Sequence, residues 1–222
     1  MSYARRRALI VRGSPEGYRP VQTTDLFLPF LDRHGFEVVV EDCLEVYEDE
    51  KFLAETDLVV QCWPGGEITP RESAGLRAAV RGGMGLAGWH TGFVDAFREN
   101  FDYQLLVGGR LQLDPSESDR HWVRLAAEHA DHPVISGLSD FEATCERYWP
   151  LNDPLIDILA TITFDGDESR PGVSSVPAVW TRTWGRGRIF ASVLGRGPDD
   201  FDTPQVRALT ERGLLWASRC RM

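Results

Sequence analysis

Apolar and polar positions follow two regimes along this chain. In the first hundred residues, short unbroken apolar runs alternate with stretches of helical spacing. Ala8-Leu9-Ile10-Val11 stops at Arg12-Gly13 and reads as a fully buried strand. Leu26, Phe27, Phe30 and Leu31 recur at helical spacing between Val21 and His34, and Gly35 ends the helix. Residues 36–40 and 58–60 read as the second and third strands, the third running into Gln61-Cys62-Trp63-Pro64-Gly65-Gly66. Thr69-Pro70-Arg71-Glu72 carries the signals of a helix start: a capping threonine, a first-turn proline and a glutamate three residues after the cap. That helix runs to about Arg81 and stops at Gly82-Gly83. A fourth strand, residues 84–87, leads straight into Gly88-Trp89-His90-Thr91-Gly92. Strands alternating with helices at these lengths predict right-handed crossovers and a parallel sheet.

After residue 108 the pattern loosens. Residues 110–113 and 122–126 read as two strands, and 132–138 as a turn or a single helical turn. Residues 178–184 and 188–194 read as a hairpin around Gly185-Arg186-Gly187, and Thr203-Pro204 opens a last helix to about Ser218. The chain has 222 residues and no internal repeat or linker, so one domain, 1–222, is the economical expectation.

Charge narrows the partners. With 24 basic and 34 acidic residues the net charge is −10, which disfavours nucleic acid and anionic membrane surfaces. Arg5-Arg6-Arg7 reads as a solvated lead-in to the first strand. The four cysteines, Cys43, Cys62, Cys145 and Cys220, form no C-x-x-C pair, and no apolar run approaches membrane-spanning length; a cytoplasmic protein with reduced thiols is expected. Seven tryptophans exceed what packing needs, so some are expected to face a cleft.

In a parallel sheet, ligands collect beyond the carboxyl ends of the strands. Three loops are expected there: 12–20, 62–69 and 88–93. The third is arranged like the strand–turn–helix elbow of hydrolases, with His90 where a serine or cysteine would stand. Histidine there can be a general acid or base, a metal ligand, or a structural residue bonded to loop carbonyls. His34 fits a helix C-terminus, His132 a turn, and His121 and His129 the surface; no metal-binding histidine spacing occurs. Residues 13–17 match neither the dinucleotide fingerprint nor the P-loop. Asp114, Glu142 and Glu146 are carboxylates of the irregular middle, available as acid and base or simply solvated.

An ordered set of stretches carries a resemblance: 62–66, 82–90, 106–110, 132–138, 177–181, 185–195 and 212–217. Together they make the chain similar to the ThuA-like family, named for trehalose utilisation, within the class I glutamine amidotransferase-like fold. The resemblance implies a flavodoxin-like three-layer sandwich with a mostly parallel sheet, and a role in carbohydrate metabolism. Amidotransferases place a nucleophilic cysteine at the elbow; here it is His90, so glutamine hydrolysis is not expected. The chain also departs from the family pattern, with Asp114-Pro115 for a His-Pro pair, Arg196 for a histidine, and Cys145-Glu146 for an Asp-Glu pair before Tyr148.

The resulting expectation is an α/β protein acting on a sugar or keto-sugar by acid–base chemistry. His90 is the base or acid, Glu146 a second proton carrier and Arg196 a clamp on a developing oxyanion. Trp63, Gly65, Gly66, Trp89, Tyr148 and Asp114 are the expected substrate-binding positions. No metal site is expected, no cofactor is named by the sequence, and the partner is a small-molecule carbohydrate, with homo-oligomerisation left open. The competing reading is a non-catalytic sugar- or metabolite-binding protein that has lost part of the polar site.

Overall fold

The computed structural model describes residues 5–13, 19–166 and 172–219, and the side chains of 114–117 lie outside that description. Among the described residues the strands are β1 (Arg6–Arg12), β2 (Phe36–Glu41), β3 (Leu58–Cys62), β4 (Gly85–Trp89), β5 (Gly109–Leu125), β6 (Phe141–Asn152), β7 (Asp157–Phe164), β8 (Ser174–Trp184) and β9 (Gly187–Ser192). They form one nine-stranded sheet in the order β2-β1-β3-β4-β9-β8-β7-β5-β6. The helices are α1 (Pro20–Asp25), α2 (Leu28–Arg33), α3 (Glu50–Glu55), α4 (Pro70–Arg81), α5 (Phe101–Val107) and α6 (Pro204–Ala217).

The first four strands are parallel, and β9 joins them in parallel beside β4. Beyond β9 every pairing is antiparallel, through β8, β7, β5 and β6. The antiparallel part also holds the longest strands, 17 residues in β5 and 12 in β6 against 5 to 7 in β1–β4. The expected mostly parallel, flavodoxin-like sandwich is therefore wrong: by strand length the sheet is mostly antiparallel. The cause is the segment 109–184, which builds a meander-like sheet of its own where crossover helices were expected.

Local chemistry explains each boundary. β3 and β4 are buried at every position, as strands covered on both faces must be. In β9, Arg188 lies over the Trp216 ring of α6 and Phe190 packs on Gly213 of α6, whereas Gly187 backs onto Val80 of α4. Neighbouring positions of a strand face opposite ways, so α4 and α6 cover opposite faces. The Thr69–Glu72 capping box forms as the sequence predicts, and Thr69 Oγ1 accepts from the Glu72 amide. The single helix expected over 21–34 is instead two. Pro29 has no amide hydrogen, and its ring conflicts with the carbonyl of Asp25, where α1 ends. The two strands expected at 110–113 and 122–126 are one strand with a register shift between Asp114 and Ser118.

The shift matters for the site. In a flat sheet β4 and β6 would stand five strand positions apart, roughly 24 Å at about 4.8 Å per strand. Yet a β6 side chain reaches the end of β4, so the antiparallel half curls back over the parallel half. Irregularities on β5 and β7 supply the bend.

Candidate functional site

His90 follows the last residue of β4 and has φ +49°. A non-glycine residue in this left-handed region carries strain that the surroundings must hold in place. The surroundings do so from several sides. The His90 carbonyl accepts from the amides of Phe93 (3.1 Å) and Val94 (2.8 Å), closing a tight turn. The Gly92 carbonyl accepts from the Trp63 amide at 2.8 Å, tying the turn to the end of β3. Gly88 and Gly92 allow this approach: a Cβ on Gly88 would stand 2.5 Å from Phe93 and 2.6 Å from the Gln61 carbonyl, and one on Gly92 2.8 Å from the Cys62 sulfur.

Beneath the turn lies a buried polar network that sequence reasoning missed. Tyr47 donates to Gln61 Oε1 at 3.0 Å, Gln61 Nε2 donates to Tyr103 at 2.6 Å and to the Gly92 carbonyl at 3.3 Å, and Tyr103 donates to the Phe93 carbonyl at 2.8 Å. The available signal was Gln61, a polar residue inside the apolar run of β3.

His90 Nε2 stands 3.2 Å from Glu146 Oε2, and Arg196 Nε 3.4 Å from Glu146 Oε1. The side chains of His90 and Glu146 are 6% and 0% exposed, that of Arg196 51%. Arg196 thus occupies the solvent side of a buried pair. Its alternative partners are engaged elsewhere: Asp199 pairs with Arg19 at 3.4 Å, and Asp200 accepts from the Gly197 amide at 3.0 Å. Neither Glu146 oxygen has an aligned hydrogen-bond donor among the described residues, so the imidazole is at bonding distance but off the line of a strong bond. The His90 imidazole and then the Arg196 charge nonetheless hold the Glu146 carboxyl below the ordinary carboxylate range, against burial, which pushes it up. The other ring nitrogen of His90, Nδ1, is 3.3 Å from Thr91 Oγ1.

A second carboxylate missed in the sequence, Asp95, lies in the same turn. It is buried, binds Arg98 through both oxygens at 2.9 Å, and feels the charge of His90; burial pushes its pKa up.

The remaining expected positions separate. Trp63 is half-buried and lies over Gly13 at the same strand ends. Gly65 and Gly66, at φ +71° and +72°, form an exposed turn after it. Trp89 is not on a cleft wall: it is buried between Phe27 (5.1 Å) and Phe201 (5.6 Å). Tyr148 is also core, donating to the Pro177 carbonyl at 2.9 Å and packing edge-on against Phe164. Glu142 is outside the site, paired with Arg120 at 2.8 Å. The Asp114 side chain and residues 14–18 of the first loop lie outside the described residues. Burial pushes the Cys62 and Cys145 thiols up to about 12, so neither is a thiolate nucleophile at neutral pH. Among the described residues no group of three or more His, Cys, Asp or Glu side chains is placed to hold a metal ion, and no helix is long and apolar enough to cross a membrane. A cavity of about 650 Å³ lies elsewhere, between α5 and the β5–β6 hairpin.

Comparisons with known proteins agree with this architecture. A ThuA-like protein of Bacteroides uniformis superposes with a TM-score of 0.75 at 18% identity, over 98% of this chain and 94% of that one. A ThuA-like protein of Parabacteroides merdae gives 0.71 at 18% identity, over 96% and 90%. A Salmonella typhimurium protein described as cytoplasmic gives 0.63 at 14% identity, over 96% and 99%. At these identities the likeness is one of fold. Among curated proteins none matches this chain. The model of the ThuA family, described as trehalose utilisation, matches residues 7–217, and the chain belongs to that family.

Proposed function

We propose that this chain acts on a sugar or keto-sugar by acid–base chemistry at the His90–Glu146 pair. The observation that carries the reading is a fully buried carboxylate set between an imidazole at 3.2 Å and a guanidinium at 3.4 Å. A buried charge of this kind is a poor way to gain stability, since an apolar side chain at the same inward position does as well or better. Its presence there fits a role in chemistry. Glu146, held below the ordinary carboxylate range, is ionised at neutral pH. It offsets the positive charge that His90 gains on taking a proton from a sugar hydroxyl or from a carbon beside a carbonyl, and His90 returns that proton later in the reaction. Arg196, half-exposed at the outer edge, is placed to bind the oxygen on which negative charge develops. Family membership supplies the carbohydrate context.

The rest of the reading follows the same chemistry. The partner is a small-molecule carbohydrate; the acidic balance of the chain disfavours nucleic acid and membrane surfaces. The protein works in the cytoplasm as one domain and does not hydrolyse glutamine, because an imidazole at the elbow cannot form the required thioester. Turnover of disaccharides and their keto derivatives, with product analysis, tests the proposal. His90→Ala and Glu146→Gln are expected to slow the reaction about 100- to 10,000-fold in folded protein. Unchanged turnover in both variants overturns it. Saccharide binding without any turnover by the unaltered chain would favour the non-catalytic binding protein instead.

A further inference from the structure

Near its start β5 has an edge that no strand covers. β6 pairs with one side of it, and on the other side β7 pairs with it only at Val123, Arg124 and Leu125. Leu111 stands opposite Pro150, which has no amide hydrogen to give across the pair. The Leu111 peptide groups are satisfied from the open edge instead. The Leu111 amide donates to the Asp95 carboxylate, and the Leu111 carbonyl accepts from Arg98 Nη2 at 3.0 Å. Two side chains do there what a neighbouring strand does elsewhere.

Those two side chains also bind each other. Arg98 Nε donates to both Asp95 oxygens at 2.9 Å, and Nη2 reaches Asp95 Oδ2 at 2.7 Å. Both belong to the segment that begins at His90. Phe97, between them, has φ +50°, so this short segment holds two non-glycine residues in the left-handed region. Gln104 Nε2 braces the second bend, donating to the carbonyls of Ala96 at 2.7 Å and Phe97 at 3.4 Å. The Phe97 ring packs edge-on against Tyr103 at 4.9 Å, which joins the bend to the network under His90.

We propose that Asp95 and Arg98 are positioning residues for the His90–Glu146 pair: they clip the turn that carries His90 to β5, and so fix where β6 delivers Glu146. The inference rests on the proposed chemistry at that pair. Its path is short. Leu111 is in register with Pro150, which is four residues along β6 from Glu146, roughly 13 Å at about 3.3 Å per residue. An ion pair that served only its own turn would close on itself; here each partner also binds the Leu111 backbone. The Asp95 carboxylate feels the charge of His90, which places the clip within electrostatic reach of the imidazole. A displacement of about 1 Å between reacting groups can slow a reaction about 100-fold, and a clip between the two halves of the sheet guards against errors of that size.

Double-mutant cycles on the full chain test the clip without a substrate. The coupling between His90 and Glu146 is measured by urea unfolding at pH 7, from His90→Ala, Glu146→Gln and the double variant. The cycle is run with Asp95 and Arg98 intact, then repeated in Asp95→Asn and in Arg98→Met. The Arg98 side chain is 44% exposed, so its variant is expected to fold even if the Asp95 variant does not. Amide hydrogen exchange at Leu111 is followed in the same proteins. The expected result is a coupling reduced by about half or more in each folded variant, with faster exchange at Leu111. Thr69→Ala, which weakens the cap of α4, is expected to lower stability and leave the coupling intact. Coupling kept in full in either folded variant, Leu111 exchange unchanged, or an equal fall in Thr69→Ala would each overturn the clip and leave the pair standing. Zero coupling with Asp95 and Arg98 intact would overturn the pair, and the clip with it.

Discussion

His90 and Glu146 come from opposite halves of one sheet, and the two halves hold their residue by different means. On the parallel side, His90 ends a strand buried at every position, and its turn is fixed by backbone hydrogen bonds, by two glycines and by the network of Gln61, Tyr47 and Tyr103. On the antiparallel side, Glu146 arrives on an edge strand carried over the site by a curled sheet, and its carboxylate is met by the side chains of His90 and Arg196. The parallel half fixes a strained backbone; the antiparallel half delivers a charge to it. Changes in the first half should act mainly through structure, and changes in the second mainly through electrostatics.

The largest effect is expected at Gly88. A methyl group there meets Phe93 and the Gln61 carbonyl within 2.6 Å, contacts that only a shift of the turn relieves. Gly88→Ala should cost about 3 kcal/mol, which is roughly 6–12 °C in Tm for a chain of this size, read by thermal unfolding. A change below 2 °C, taken as about the yield of 1 kcal/mol, would mean that the turn is not fixed by close packing. Next comes Gln61→Leu, which leaves two buried tyrosine hydroxyls and the Gly92 carbonyl short of a partner. A loss of about 1–3 kcal/mol in urea unfolding is expected. A neutral result would show that the network does not brace the turn.

On the antiparallel side the expected effect depends on pH. Because the folded protein holds the Glu146 carboxyl below its ordinary range, the ionised group contributes stability above the ordinary carboxylate pKa. That contribution is lost as pH falls through the lowered folded-state value. The stability advantage of the unaltered chain over Glu146→Gln should therefore be present at neutral pH and shrink in acid, as measured by Tm from pH 7 down to pH 3. A difference that grows in acid would reverse the sign of the argument. The smallest effect is expected for Arg196→Ala. Its contact is half-exposed, so stability should move by no more than about 1 kcal/mol. Turnover, if the proposed role holds, should fall by more than stability alone explains.

The same division governs what the sequence reveals. The parallel half is legible because strands covered on both faces must be continuous apolar runs, as in Ala8–Val11 and Leu58–Val60, and because the Thr69–Glu72 capping box marks a helix start without tertiary help. The antiparallel half hides itself. β6 alternates buried and exposed positions from Phe141 to Cys145, then breaks at Glu146, a charged residue turned inward, and again at Pro150. The candidate carboxylate is thus what spoils the pattern that would reveal its strand. β5 is obscured by its register shift, and nothing local shows that the sheet would curl. His90 stands out in the sequence by its place after a strand, whereas Glu146 is one of three candidate carboxylates until the family resemblance points to it, and Arg196 is singled out only through that resemblance. Trp89 and Tyr148 mislead because an aromatic residue beside a loop reads the same whether it lines a cleft or fills the core.

The central claim is that His90 and Glu146 act as a pair across the junction of the two halves. A double-mutant cycle tests it without knowledge of the substrate. Unfolding free energies are measured at pH 7 for the unaltered chain, His90→Ala, Glu146→Gln and the double variant. The account predicts a coupling of roughly 0.5–3 kcal/mol, as found for side chains in direct contact, which declines once acid protonates the carboxylate. Losses that simply add, with coupling indistinguishable from zero at pH 7, would contradict it.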